Sequence, residues 1–277
     1  MSTVQEQWKS WFNGIQGEIN FWTQWAETKG GDWPDDFKKR MDANTQLDDY
    51  VAASATSFGR KFVHILDVGS GPITGLGYKS DNLICSITAC DPLAQAYDLI
   101  FSTFDLHPPV RTEFATAEDL SSFYLPRSFD IVHCRNALDH SFDPLRGIME
   151  MLTVVRLGGE LILKHSRNEA ENERYSGFHQ FNIDEINGRL VIWNKQRRYD
   201  LHQILEGVAE IILTCDNSQV WARIVKIGDP IREKASDRLA DLAKGMVGWM
   251  IDKSLHDQPP TQFVSLARLR EKMLDGA

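Results

Sequence analysis

Long apolar runs are missing from this sequence. Nowhere in its 277 residues do about 18 apolar residues follow one another, so no membrane-spanning helix is expected. Cysteine is scarce: Cys85, Cys90, Cys134 and Cys215 form no C-x-x-C pair. That spacing speaks against a cysteine zinc site or a disulfide framework. Three of the four fall in apolar strand-like runs, where a buried reduced thiol is the ordinary state. Basic charge is also short, with 30 Lys and Arg against 39 Asp and Glu, a net charge of -9 and no basic block. A dedicated binder of nucleic acid or of an anionic membrane is therefore disfavoured. Met1 to Gln7 carries neither a basic stretch nor an apolar one, so no secretory signal is read there and a cytoplasmic location is expected. Internal repeats and low-complexity tracts are absent.

What remains is an ordinary globular composition, 42% hydrophobic and 25% charged. At about 150 residues per domain the length corresponds to about 1.8 domains. One residue type is concentrated: of eight Trp, five (Trp8, Trp11, Trp22, Trp25 and Trp33) precede residue 34.

Those tryptophans mark an N-terminal extension, residues 1–58. Trp8, Trp11, Phe12, Ile15, Ile19 and Trp22 recur at i, i+3, i+4 spacing and predict one amphipathic helix, with Gly14 and Gly17 as candidate bends. Gly30-Gly31 breaks the chain, and a further helix is expected from Asp35 to Met41. The aromatic face either cements these helices to the core or forms a lid over a site.

From residue 59 to 228 strands alternate with helices. Strands are expected at Phe62 to Val68, Leu83 to Cys90, Val110 to Phe114, Phe129 to Cys134 and Glu160 to Lys164, with helices at Leu93 to Phe104 and from Asp143-Pro144 to Arg156, ended by Gly158-Gly159. After His165 the pattern lapses into an inserted segment, about 166–199, read as irregular. A helix from Asp200 to Val208 follows, then strands at Glu210 to Thr214 and Val220 to Ile227, close enough to form a hairpin. The fold class is thus α/β, a doubly wound, seven-stranded, mostly parallel sheet with a terminal antiparallel hairpin. Residues 229–277 form a helical C-terminal extension, and the two extensions are candidate surfaces for a homodimer.

The decisive segment is Ile65-Leu66-Asp67-Val68-Gly69-Ser70-Gly71-Pro72. Glycines at the end of a first strand let the backbone approach a ligand. Asp67 would repel a pyrophosphate but suits an ammonium, and Pro72 removes an N–H that a phosphate cradle wants. Asp91, 20 residues beyond Gly71 at the end of the second strand, stands where a ribose diol is accepted in nucleotide-binding folds.

Together with Ala117-Glu118-Asp119-Leu120 and Phe129-Asp130-Ile131-Val132, these residues resemble the class I S-adenosylmethionine-dependent methyltransferases, over roughly residues 60 to 228. The resemblance implies S-adenosylmethionine as cofactor. Asp67, Gly69, Ser70 and Gly71 would face its methionine part, Asp91 its ribose, Ala117 and Glu118 its adenine, and Cys134 and Asn136 the methyl end. Thr116 stands where many relatives carry Asp, and Glu118 is the candidate replacement. The N-terminal pattern around Glu18 to Trp22 and Trp33 to Arg40 resembles bacterial methyltransferases of surface-polysaccharide synthesis.

Methyl transfer to a hydroxyl needs a base, and His is the usual one. His140 and His165, both at the carboxyl edge of the sheet, are the catalytic candidates. Asn168, Glu169, His179 and Gln180, in the inserted segment, are candidates for holding the acceptor. His165, Glu169 and His179 have metal-ligand chemistry but no regular spacing, so no metal is expected. The polar insertion favours a sugar or other small polar metabolite as the O-methyl acceptor, in polysaccharide or natural-product synthesis. An amine acceptor, a protein or RNA acceptor, and a non-catalytic cofactor-binding scaffold stay open.

Overall fold

The computed structural model describes residues 4–230, with side chains from residue 14 onward. The expected C-terminal extension therefore lies outside the described residues. So do the side chains of Trp8, Trp11 and Phe12.

Three helices precede the sheet: α1 (Val4–Glu27), α2 (Pro34–Met41) and α3 (Asp49–Ser57). Helix α1 runs through both glycines. Gly14 is explained by a close approach, since a Cβ there would overlap the ring of Phe178. The strands and helices of the core follow as β1 (Phe62–Val68), β2 (Ile84–Cys90), α4 (Ala94–Phe104), β3 (Thr112–Glu113), β4 (Phe129–Arg135), α5 (Pro144–Val154) and β5 (Val155–Ser166). The Asp143 side chain caps α5 by accepting from Arg146 N at 3.2 Å, with Pro144 at the first helical position.

Helix α5 stops at Val154, two residues short of the expected end, and β5 begins at once. Gly158-Gly159 is not a helix stop. It lies inside β5, where the pairing with β4 shifts register between Phe129 and Ile131. Gly158 has a positive φ of 69°, and a Cβ on Gly159 would sit 2.7 Å from Asp130 O. A bulge, not a cap, is what these glycines serve.

The insertion is more ordered than expected. A short helix α6 (Glu169–Asn172) leads into β6 (Asn182–Ile186), β7 (Arg189–Trp193) and β8 (Arg198–Asp200), a separate three-stranded antiparallel sheet. The chain then passes α7 (Leu201–Ile204), only one turn instead of the expected nine-residue helix, to β9 (Ala209–Cys215) and β10 (Gln219–Lys226).

The main sheet has the order β3-β2-β1-β4-β5-β10-β9. Strands β1 to β5 pair in parallel, and β10 pairs antiparallel with both β5 and β9, so the closing hairpin is present as expected. Val51 and Ala55 of α3 cover one face, packing on Val63, Ile65, Ile131 and Ile162. On the other, α5 joins the small sheet through Ile148, Met151, Phe181, Ile183 and Ile192. Ile15, Ile19 and Trp25 of α1 pack against Tyr97, Ile100 and Phe101 of α4, which brings the N-terminal helix over the carboxyl ends of β1 and β2. Strand order reverses between β1 and β4, and in such sheets the crevice beyond the strand ends at that point is where ligands bind.

Candidate functional site

A pocket opens at that crevice, in the place where such sheets bind ligands. Its walls come from Gly69 after β1, Asp91 and Leu93 after β2, Thr116 to Glu118 after β3, Cys134, Ala137, Leu138 and His140 after β4, Glu18 of α1, and Phe178 of the insertion. Beyond Gly69 lies a second cavity of about 320 Å³, lined by Arg40, Asp67, Ser70, His133 and Arg135.

The glycine loop turns through left-handed backbone, with φ of 67° at Gly69 and 65° at Gly71. A side chain is excluded at both. A Cβ on Gly69 would overlap that of Ala137, and one on Gly71 would lie 3.0 Å from the Trp22 indole. Gly69 N and Ser70 N donate to Cys90 O, and Gly71 N donates to the Asp91 carboxylate at 3.2 Å. The Ser70 hydroxyl is buried against Gly71 O and Thr112.

Two carboxylates on the pocket wall are nearly fully buried. Asp91, which also accepts from Leu93 N at 2.8 Å, is pushed up to about 7. Burial is the main cause, and its hydrogen bonds to Leu93 and Gly71 only partly offset it. Glu118 is likewise pushed up to about 7 by burial, while one of its oxygens accepts from Phe142 N and Asp143 N. Each keeps lone pairs beyond those its present donors use, so each can still accept a hydroxyl or amine hydrogen from a ligand.

Asp67 is placed differently. Its two oxygens are engaged, one by the Thr74 hydroxyl at 2.6 Å and the other by His133 Nδ1 at 2.7 Å; His133 Nε2 in turn meets the Tyr50 hydroxyl at 2.8 Å. This buried chain fixes the floor of the second cavity. Asn136 has a left-handed φ of 46° and turns its amide oxygen to Ser166 N, so Ala137 takes the place on the pocket wall. Cys134 is on the wall and fully buried.

At the far end of the pocket His140 lies beside Phe178, with ring centroids 5.4 Å apart. Behind it the insertion brings up His179, whose Nδ1 is 2.9 Å from Asp139 Oδ2 and 3.3 Å from His140 Nε2. Asp139 O accepts from Gln180 N and Phe181 N, which ties the insertion to the end of β4. Burial works against the charged form of His179, but Asp139 outweighs it and lifts the imidazole above its ordinary value. Asp139, opposed by its own burial, is held below the usual range by the neighbouring histidines.

Of the other residues singled out from the sequence, His165 is buried and its ring nitrogens have no hydrogen-bond partner among the described residues. Burial pushes it down to about 4. Asn168 donates to Asp184 at 3.0 Å, and the Gln180 amide donates to Gly177 O. Glu169 begins α6. None of these four lines the pocket.

Sequence reasoning missed Glu18, Phe178, Arg40 and Asp139. For Glu18 a signal existed: an acidic residue on the apolar helix face, between Ile15 and Trp22, where its carboxylate accepts from Trp22 Nε1 at 2.7 Å. For Phe178 and Arg40 the contacts are long-range, and no local pattern announces them.

Residues 66–163 match the family profile described as a methyltransferase domain. No curated protein matches the sequence. Among solved structures, the chain resembles the CurJ carbon methyltransferase at 10% identity and a TM-score of 0.40, covering 61% of this chain and 49% of that one. It therefore spans about half the length of that relative. It also resembles the YcgJ protein from Bacillus subtilis (16% identity, TM-score 0.38, 64% of this chain and 97% of that one). A third is a SAM-dependent methyltransferase from Methanosarcina mazei (14% identity, TM-score 0.41, 66% and 99%). The matched segment, about a third of the chain, contains the glycine loop, Asp91, Glu118, Cys134 and the Asp139-His140 pair, so these residues lie within the part of the chain that is similar to a methyltransferase domain.

Proposed function

We propose that the protein O-methylates a sugar or another small polar metabolite, with S-adenosylmethionine in the pocket beside the glycine loop. The observation that carries this reading is the placing of titratable side chains on the wall of a mostly apolar pocket: Asp91, Glu118 and His140 line it, and His140 is backed by His179 and Asp139.

The residues suit the cofactor. Asp91 and Glu118 have accepting capacity for a ribose diol and an adenine amine, and the side-chain-free turn at Gly69 to Gly71 leaves room for close backbone approach. Arg40 and Arg135 line the smaller cavity next to Asp67, a charge pattern matching the carboxylate and ammonium of a methionine end. Bound there, S-adenosylmethionine supplies a methyl group already activated by its sulfonium.

The chain's own residues then have three tasks. Glu18 of α1 and Phe178 line the pocket and Trp22 packs on the glycine loop at Gly71, which together limit the access of water. The insertion meets the pocket through Phe178, with His179 behind it, and bounds the space for the acceptor there. The cluster of Asp139, His140 and His179 takes charge of the acceptor's hydroxyl proton, a role His fills near neutral pH when a carboxylate orients it.

The test is a panel of sugars, polyols and amines incubated with the purified protein and S-adenosylmethionine, with S-adenosylhomocysteine release as readout. Hydroxyl acceptors are expected to turn over, and His140→Ala is expected to lower kcat by at least about tenfold, the low side of a lost acid–base contribution, with cofactor affinity retained. Turnover of amines alone, or full activity in the variant, would overturn the reading.

A further inference from the structure

We propose that Asp139, His140 and His179 form a binding site for a borderline divalent transition-metal ion, of which Zn²⁺ is the natural probe. Its existence rests on geometry alone. Its part in catalysis rests on the reading that the acceptor lies at this end of the pocket.

The three potential ligand atoms already stand at the corners of a nearly regular triangle. Asp139 Oδ2 is 2.9 Å from His179 Nδ1 and 3.4 Å from His140 Nε2, and the two ring nitrogens are 3.3 Å apart. A tetrahedral ion with bonds of about 2.0–2.1 Å to nitrogen and oxygen places its ligand atoms about 3.3 Å from one another. The same spacing allows a shared N–H, with His179 Nδ1 donating to Asp139, and a bound ion would take the place of that proton. A cation satisfies all three lone pairs at once.

The ligands are held in place by the fold. Asp139 and His140 belong to one 3-10 turn, Leu138–His140, after β4, and Asp139 O is tied by two backbone hydrogen bonds to Gln180 and Phe181, next to His179. The His140 and His179 rings meet edge-on, at 75° with centroids 4.7 Å apart.

A second observation points the same way. His165 is buried with both ring nitrogens unpartnered among the described residues, and it is near enough to Asp139 for their charges to interact. The side chains of His140 and His179 are 24% and 27% exposed, so an ion can enter from solvent and keep at least one position open. Two imidazoles with one carboxylate suit Zn²⁺, Co²⁺ or Fe²⁺ rather than Mg²⁺ or Ca²⁺. At an open position such an ion would lower the pKa of a bound hydroxyl toward neutrality, so that its proton passes to solvent and the two imidazoles serve as ligands in place of acting as the base. Sequence spacing does not announce these ligands, because Asp139 and His140 lie in the turn after β4 whereas His179 lies in the insertion.

Untagged protein is stripped with a chelator, then titrated with Zn²⁺ by calorimetry and with Co²⁺ by visible absorption. The site predicts one ion per chain, a Co²⁺ ligand-field band, and binding at least tenfold weaker in His179→Ala and His179→Asn. Circular dichroism and S-adenosylhomocysteine binding in the same samples confirm that the variants are folded. Failure of the wild type to bind stoichiometrically, or equal binding by the folded variants, overturns the site. Hydroxyl turnover undiminished in metal-free protein overturns the metal's role while leaving O-methylation standing. Stoichiometric metal with no hydroxyl acceptor methylated overturns the acceptor reading and leaves the site.

Discussion

Replacing Asp91 by Asn should make the protein more stable at pH 8 and weaken its grip on the cofactor at the same time. Asp91 is held near pH 7, against an ordinary value of 3.8, because its carboxylate is desolvated. The folded state therefore disfavours the charged form, a penalty absent below pH 3.8 that grows as pH rises and is complete above about 7. A shift from 3.8 to about 7 corresponds to about 4 kcal/mol at pH 8. Asn is neutral throughout and escapes this. It does lose one acceptor, because the two oxygens of Asp91 serve Leu93 N and Gly71 N separately, and an unmatched buried donor costs about 1–3 kcal/mol. The balance at pH 8 is a gain of about 1–3 kcal/mol, or roughly 3–10 °C in Tm. At pH 5 most of the penalty has gone, and the variant should be no more stable than the wild type. Affinity moves oppositely: each lost charge-assisted hydrogen bond to a ribose hydroxyl is worth about 1.5–3 kcal/mol, so S-adenosylhomocysteine should bind at least about tenfold more weakly. Thermal melts at both pH values, with calorimetry at pH 8, provide the check. A variant destabilised equally at both pH values, binding the cofactor product normally, would refute the reasoning.

Other expectations follow from the same geometry. In the wild type, ionisation of Asp91 and Glu118 near pH 7 should tighten cofactor binding as pH rises from 6 to 8, by about tenfold for each carboxylate that binds only when charged; a flat affinity profile by calorimetry would contradict this. Gly69→Ala places a side chain in left-handed backbone and against Ala137, so Tm should fall and cofactor binding be lost; paired with Ala137→Gly, stability should recover in part. Asp130, buried, accepts from His64 N and pairs with Arg60 and Arg156. Asp130→Ala should cost about 3 kcal/mol in urea unfolding while leaving the pocket's affinity unchanged, and a neutral effect would show that the two arginines resolvate freely.

The alternating core was legible because each of its signals is local. A β-branched run ending in Gly69-Ser70-Gly71, Asp143-Pro144 before α5, and the short polar link ahead of β10 each name an element through turn chemistry or capping. The insertion was read as irregular although Asn187-Gly188 carries a hairpin signal, with both residues at positive φ between β6 and β7. Gly158-Gly159 was misread for the converse reason: a glycine pair after a helical run looks the same whether it stops a helix or bulges a strand. The pocket wall was partly readable, since Asp91, Glu118 and Cys134 follow strand ends. Glu18 and Phe178 reach it from elements far away in sequence, and the meeting of Asp139 with His179 depends on how the insertion folds back. No periodicity records that.

The central claim is that the crevice beside Gly69 and Asp91 holds the cofactor of a methyltransferase. Calorimetric titration of S-adenosylhomocysteine into the purified protein at pH 8 tests it most directly. The account expects one molecule bound per chain with micromolar or tighter affinity, and its loss in Asp91→Ala. Absence of binding at high micromolar concentration, or binding unaffected by that substitution, would contradict it.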